Sequence, residues 1–95
     1  SIEGSGSDMV VPNVYVAEST TSTLNLAYYF VNGETLTYTC TSSDPATAAV
    51  SVSNTLMTVS GIKTGTARIT VKVSNGSDQS IAVTVRKKAN DNGWM

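Results

Sequence analysis

The amino-acid sequence predicts an all-β protein, a seven-stranded antiparallel sandwich of two sheets. Apolar and polar residues alternate with a period of two, most clearly over residues 36–40 and 67–73, as they do in strands with one buried and one solvated face. Turn-forming residues recur about every eight to twelve positions, and no segment carries the periodicity of a helix. Short strands at this spacing favour two packed sheets.

The chain of 95 residues is long enough for one hydrophobic core and too short for two. Residues 1–8 are rich in Gly and Ser and are expected to be a linker or an expression-tag remnant. The alternating pattern ends at Arg86. We therefore predict a folded domain over residues 9–86, with residues 87–95 as a C-terminal tail or linker.

The first predicted strand lies within residues 9–16 and contains Pro12. Because proline cannot donate a hydrogen bond to a ladder, this strand is expected at the edge of a sheet or split in two. A second strand is predicted over residues 23–27, where Leu24 and Leu26 share one face.

An aromatic cluster, Tyr28–Phe30, follows the second strand. Aromatic rings carry a large apolar area, so the simpler interpretation is that the cluster plugs one end of the core. The alternative, functional interpretation is that the rings form a stacking platform for sugars or bases. Asn32 and Gly33 then predict a tight reversal of the chain.

Two short strands are expected in the middle of the chain, over residues 48–52 and 55–60. Leu56 and Met57 are adjacent and apolar, so only one can face the core. Met57 is preferred because it shares the phase of Val59, and Leu56 is then expected in a groove or an interface. Ile62 is expected to lie beneath the connection between Gly61 and Gly65.

The last two strands, residues 67–73 and 81–85, form the longest alternating rows. Ile69, Val71 and Val83 are therefore predicted to be the centre of the core.

An odd number of strands predicts that the two ends of the folded unit lie at opposite poles of the sandwich.

The residue inventory disfavours an enzyme, a cofactor or a metal site. Cys40 is the only cysteine, its strand phase predicts a buried and inert thiol, and the chain has no histidine to activate it. The carboxylates are scattered rather than paired for acid–base chemistry. A net charge of −1 and a surface rich in hydroxyl groups give no footprint for nucleic acid, and no apolar run predicts membrane insertion.

Seven segments in order resemble the consensus of bacterial immunoglobulin-like repeats, with overlap toward cadherin-like repeats, across residues 12–85: Leu26–Phe30, Gly33–Tyr38, Thr41–Pro45, Ala49–Val52, Thr58–Ile62, Gly65–Val71 and Val83–Val85. The resemblance implies an immunoglobulin-like Greek-key sandwich, found in bacterial adhesins, secreted enzymes and phage structural proteins as a spacer or attachment module. Residues 30–34 hold one carboxylate where cadherin-like relatives have an Asp-rich segment, so strong calcium binding is not expected.

The resemblance therefore implies a non-catalytic structural or interaction module, located extracellularly, on a cell surface or in a virion. Its partners would be neighbouring domains of the same protein. Bacterial surface and phage virion remain equally open. The competing hypothesis is a glycan-binding or cell-adhesion module that uses the Tyr28–Phe30 cluster. Its candidate contacts are aromatic rings for stacking, with Asn and Thr side chains of the turns for hydrogen bonds; the rings are Tyr15, Tyr28, Tyr29 and Trp94.

Overall fold

A computed structural model of the protein describes residues 8–88 and shows two facing β-sheets. The predicted all-β, two-sheet architecture is confirmed. Residues 1–7 of the predicted linker, and residues 89–95 of the predicted tail with Trp94, lie outside the described residues.

Seven strands are present in the described part of the chain: β1 (Val14–Ala17), β2 (Thr21–Asn25), β3 (Tyr38–Ser42), β4 (Ala48–Ser53), β5 (Leu56–Gly61), β6 (Gly65–Val73) and β7 (Gln79–Arg86). The four-stranded sheet has the order β1-β7-β6-β3, and the three-stranded sheet has the order β2-β5-β4. Between residues 8 and 88, the β4–β5 and β6–β7 connections stay within one sheet, and the other four connections cross between sheets.

One strand pair corrects the prediction of a fully antiparallel sandwich. β1 runs parallel to β7, with Val14 opposite Val83 and Val16 opposite Val85. The chain leaves β1 for the other sheet, so β1 and β7 are joined by no hairpin that would force them antiparallel. Alternation reports which face is buried and carries no information on the direction of the neighbouring strand. The four-stranded sheet is therefore mixed.

Side chains continue the parallel ladder beyond the amino-terminal end of β1. Asn13 Oδ1 accepts a hydrogen bond from the Ala82 N–H at 3.0 Å. The Gln79 amide accepts from the Val11 N–H at 2.8 Å and donates to the Met9 carbonyl at 2.9 Å. Pro12, which has no N–H, falls between these bonds. The first strand lies at a sheet edge, as its proline predicts.

Parallel pairing places the two ends of the described chain at opposite poles. Residues 8–10, 26–37, 54–56 and 74–79 form the amino pole, and residues 17–20, 43–47, 62–64 and 86–88 form the carboxyl pole. The length of β7 separates the poles, about 23 Å at roughly 3.3 Å per residue. The sequence predicted opposite poles from an up-and-down count, whereas the structure reaches them through the parallel pair.

The core lies between the sheets and matches the predicted phase of the strands. Ile69, Val71 and Val83 are fully buried, with 0% of their surface exposed. Met57 is also fully buried whereas Leu56 is 49% exposed, which confirms the choice between them. Other buried apolar residues complete the cluster: Val11, Val14, Val16, Leu26, Phe30, Tyr38, Ala48, Val59, Ala67, Val73, Ile81 and Val85.

Two 3₁₀ turns at the amino pole correct the expectation of a chain without helical segments. The first turn spans Leu26–Tyr29, so the second strand ends at Asn25 rather than Ala27 and lies two residues earlier than predicted. The N-terminus of the turn is capped by Asn25, whose side chain accepts from the Ala27 N–H at 3.1 Å. The second turn spans Gly33–Thr35, and β3 begins at Tyr38 rather than at Leu36, where the alternating pattern begins.

The second turn needs a glycine at Gly33 because of a close approach. A Cβ at this position would overlap the backbone carbonyl of Ala27 and lie 2.6 Å from its Cα. The positive φ of the reversal is taken by Asn32, at 57°. The Tyr38 hydroxyl donates to the Gly33 carbonyl at 2.7 Å and fixes this turn on the core. The Asn-Gly pair therefore makes a turn, with the roles of its residues set by tertiary packing.

Ile62 departs from its prediction. Its side chain is 54% exposed at the carboxyl pole instead of lying beneath the connection. The Ile62 and Lys63 N–H groups both donate to the Thr47 carbonyl, which holds this connection close to the β3–β4 loop. The buried side chain of Thr47 lies against Gly65 at the end of this connection, and the isoleucine is exposed.

Candidate functional site

The Cys40 environment is that of an unreactive thiol. The side chain is half-buried rather than fully buried, since β3 is an edge strand of its sheet. Burial raises the pKa of the Cys40 thiol above its ordinary value, which disfavours the nucleophilic thiolate. Among residues 8–88 no three His, Cys, Asp or Glu side chains cluster as a metal site would require.

Glu18 is held by a connection rather than aimed at a cleft. Its carboxylate accepts hydrogen bonds from the Thr64 hydroxyl at 2.8 Å and from the Thr64 N–H at 2.9 Å. These bonds lower the pKa of Glu18, the hydroxyl bond contributing most. The carboxylate therefore ties the end of β1 to the β5–β6 connection, which is a structural role.

The predicted aromatic plug is divided between core and solvent. Phe30 is buried against Tyr38, with 5.6 Å between the ring centroids. Tyr29 is half-buried, and Tyr28 is 73% exposed. The Tyr28 and Tyr29 rings meet edge to face, at 5.2 Å and an interplanar angle of 81°, so they do not form one flat platform.

Tyr15 does not join the Tyr28 and Tyr29 pair. It lies on the outer face of β1, opposite Thr84, and the Arg86 guanidinium covers its ring at 5.0 Å from the centroid. Trp94 falls outside the described residues. The structure thus brings together two of the predicted contact residues, Tyr28 and Tyr29, and places Tyr15 elsewhere.

An open groove of about 460 Å³ lies where the edges of β3 and β4 face each other near the amino pole. Leu36 and Val52 are half-buried in it, and the exposed Glu34 carboxylate stands at its rim. Hydroxyl, amide and phenol side chains form the rest of its wall: Thr35, Thr37, Tyr38, Asn54 and Thr55. Among the residues that line the groove, Glu34 supplies the one carboxylate.

Sequence reasoning did not find this groove. The alternation over residues 36–40 and 48–52 predicts that Leu36 and Val52 face inward, and both pack against the core between the sheets. The two residues are half-exposed because β3 and β4 are edge strands of different sheets with no further strand beside them. Strand order decides this exposure, and no local sequence signal reports strand order.

No helix in the described range 8–88 has the length and apolar character needed to cross a bilayer. The helical segments found there are the two short 3₁₀ turns at the amino pole.

Solved structures with a similar fold include domains of a surface-layer protein. The chain is 29% identical to the S-layer protein SbsC domains 4 and 5, with a TM-score of 0.63, covering 80% of this chain and 48% of that one. It is also 29% identical to SbsC domains 4–9, with a TM-score of 0.65, covering 83% of this chain and 13% of that one. The chain therefore spans about half of the shorter SbsC structure and a small part of the longer one.

The PKD domain from the KIAA 1837 protein also resembles the chain, with a TM-score of 0.59 and 97% coverage of both chains. Their identity is 20%, so this likeness concerns the immunoglobulin-like sandwich fold alone. No family model matches the sequence. No curated protein matches it either.

Proposed function

We propose that this chain is a non-catalytic immunoglobulin-like spacer domain of a bacterial surface protein, connecting neighbouring domains of the same protein in an extended row. The observation that carries the proposal is the parallel pairing of β1 with β7. A chain that enters at one pole and leaves at the other extends a row by the length of the domain. A domain whose two chain ends lay at the same pole would instead reverse the direction of the row.

The likeness to SbsC supports the surface setting. The chain covers 48% of a structure of two SbsC domains and 13% of a structure spanning domains 4–9, which corresponds to about one domain in each. A single sandwich that resembles one member of a multidomain surface-layer protein fits one unit in a row of domains. Of the two settings that the sequence leaves open, we favour the bacterial surface over the virion on this ground.

The chemistry of the described residues fits a spacer. The Glu18 carboxylate, the Cys40 thiol and the Tyr38 hydroxyl are each engaged in the fold or half-buried within it. The sequence resemblance to bacterial immunoglobulin-like repeats, which act as spacer or attachment modules, agrees with the same role. A spacer acts through its dimensions and its ends.

The test is a fusion of two copies of the chain, joined through their own terminal segments. X-ray scattering should show a maximum dimension well above that of one copy, increasing with each copy added. A control fusion, in which the second copy is a sandwich with both ends at one pole, should be more compact. A two-copy chain as compact as the control would overturn the spacer function.

The glycan-binding hypothesis gives a distinct result in a second experiment. A glycan array probed with the single chain, followed by titration of any hit against Tyr28→Ala, asks whether the exposed ring binds a sugar. Since the Tyr28 and Tyr29 rings are not coplanar, we expect no binding that depends on Tyr28. Micromolar affinity lost in Tyr28→Ala would replace the spacer with a binding module.

A further inference from the structure

Among residues 8–88, the large exposed apolar side chains lie mainly at the poles of the domain. Five large ones lie at the amino pole: Met9, Val10, Tyr28, Val31 and Leu56. Ile62 lies at the carboxyl pole, and Tyr15 lies on β1 near that pole. The outer faces of β3 and β6 carry instead polar or charged residues: Thr39, Thr41, Arg68, Thr70 and Lys72. Grouped exposed apolar residues mark surfaces that bind another protein.

The apolar surface at the amino pole is held in place by hydrogen bonds. The Met9 N–H donates to the Tyr29 carbonyl at 2.7 Å, and Asp8 Oδ1 accepts from the Val31 N–H at 3.0 Å. The Gln79 amide fixes the same segment from the side of β7. A surface fixed before contact loses little conformational entropy on binding, which favours association.

The charges of the two poles are opposite in sign. The amino pole carries three carboxylates, Asp8, Glu34 and Asp78, against Lys72. The carboxyl pole carries two carboxylates, Glu18 and Asp44, against four basic residues: Lys63, Arg86, Lys87 and Lys88. Arg68 lies between the poles, opposite Ala82. Complementary potentials of this kind orient two partners and disfavour contact between like poles.

We propose that the amino pole of one copy of this chain binds the carboxyl pole of a second copy. Apolar contact would join Ile62 to the patch around Tyr28 and Met9, with Lys63 facing the acidic residues of the amino pole. Such a head-to-tail interface is heterologous, and its two patches lie at opposite ends of the domain, so successive contacts build an open row rather than a closed dimer. This inference rests on the proposed function, because it names the partner surface that a spacer presents to its neighbour.

The interaction is expected to be weak between separate chains, since each pole is a small surface. Domains joined in one chain experience effective concentrations on the order of millimolar, which makes a weak contact sufficient. Sedimentation of the single chain at concentrations up to about 1 mM should therefore show an average mass that rises with concentration, and NMR spectra should change over the same range. Amide shifts should change at both poles together, and salt should weaken the association.

Two variants, each disabled at one pole, provide the decisive experiment. Tyr28→Ser replaces the aromatic ring at the amino pole with a small polar side chain and leaves its charge unchanged, and Lys63→Glu reverses a charge at the carboxyl pole. Each variant alone should remain monomeric. Their equimolar mixture should form a dimer and nothing larger, because only one pair of intact poles remains. Thr41→Glu, on the exposed outer face of β3, is the matched control and should associate as the unaltered chain does.

Three outcomes would overturn the inference: a chain that stays monomeric at every concentration, a Lys63→Glu chain that still self-associates, or a mixture that fails to dimerise although both variants melt as the unaltered chain does. The two-copy fusion distinguishes a failure of the pole contact from a failure of the proposed spacer function. An extended fusion with a monomeric single chain would remove the pole contact and leave the spacer function in place. A compact fusion would remove the function itself.

Discussion

The β6–β7 hairpin and the amino-terminal segment, residues 8–35, are held to the same core by different means. In the hairpin, seven register pairs from Gly65–Val85 to Val71–Gln79 join two regular strands, and every second side chain is buried. The amino-terminal segment has two short strands and a 3₁₀ turn on either side of Phe30, and side-chain hydrogen bonds hold several of its backbone groups. Substitutions at the solvent face of a repeating ladder cost little stability. In the amino-terminal segment, a substitution that removes a single hydrogen bond or crowds a close approach destabilises the structure.

The largest effect is expected from Gly33→Ala, in the amino-terminal segment. The added Cβ would overlap the Ala27 backbone, which cannot move aside as a flexible side chain could. We expect a loss of about 3 kcal/mol in unfolding free energy, at the upper end of overpacking effects. Urea denaturation followed by circular dichroism measures it.

Gly76→Ala is the matched control for this change. Gly76 has a φ of +87° and open space around its Cβ position, so only backbone strain, about 1 kcal/mol, is expected. Equal losses for the two glycines would mean that the close approach at Gly33 does not hold the segment.

Val71→Ala tests the hairpin half of the comparison. Val71 is fully buried, so lost burial and the remaining cavity should cost about 2 kcal/mol. Its neighbour Lys72 points to solvent, with a 3.9 Å contact to Asp78 and a side chain 69% exposed. Lys72→Ala should cost little, because exposed ion pairs contribute little. Similar denaturation midpoints for the two variants would contradict the alternating burial of β6.

Gln79→Ala should produce a smaller and more local effect. It removes both hydrogen bonds that the amide makes to residues 9 and 11, at about 1 kcal/mol in total. Hydrogen exchange should accelerate at the Val11 N–H while the β6–β7 amides keep their protection. Ser80→Ala, next to it on an exposed position, is the control. Uniform acceleration in both regions would show that they unfold as one unit and would weaken the comparison.

The smallest effect concerns Glu18 and pH. The hydrogen bonds from Thr64 lower its pKa below the ordinary value of 4.5, so the ionised form stabilises the fold above that value. This contribution is lost as pH falls through the lower pKa of the folded state. The melting temperature of the unaltered chain should exceed that of Glu18→Gln at neutral pH and approach it in acid. Glu34→Gln controls for removal of one negative charge, and a difference that stays undiminished as pH falls well below 4.5 would refute the role of these bonds.

The sequence predicts the hairpin well because its structure repeats. Alternation over residues 67–73 and 81–85 places Ile69, Val71 and Val83 correctly at the centre of the core. The same rule selects Met57 over Leu56. In these strands each side chain's position follows from its phase, so local information is sufficient.

The amino-terminal segment and the poles follow from contacts distant in sequence. Val11 bonds to Gln79, 68 residues away, and Asp8 bonds to Val31, 23 residues away. The parallel direction of β1, the 3₁₀ turns and the exposure of Ile62 all depend on such contacts. For the candidate site, the sequence identified Tyr28 and Tyr29 as neighbours, but it did not predict their edge-to-face geometry or the groove between β3 and β4. The groove arises where two edge strands from different sheets meet.

The parallel ladder between β1 and β7 also determines how the domain responds to tension. A force that stretches a row pulls β1 toward the amino pole and β7 toward the carboxyl pole, so the two strands are sheared along their length. The force then acts at the same time on all the bonds along this ladder, which do not break one after another. They are the bonds of the four register pairs, the Asn13 bond to Ala82 and the bond from the Glu18 N–H to the Arg86 carbonyl. In single-molecule pulling from the chain ends, Asn13→Ala should lower the unfolding force, and an unchanged force would show that the ladder does not resist it. The strand direction that separates the two ends would in this way also make the domain resist the stretching of its row.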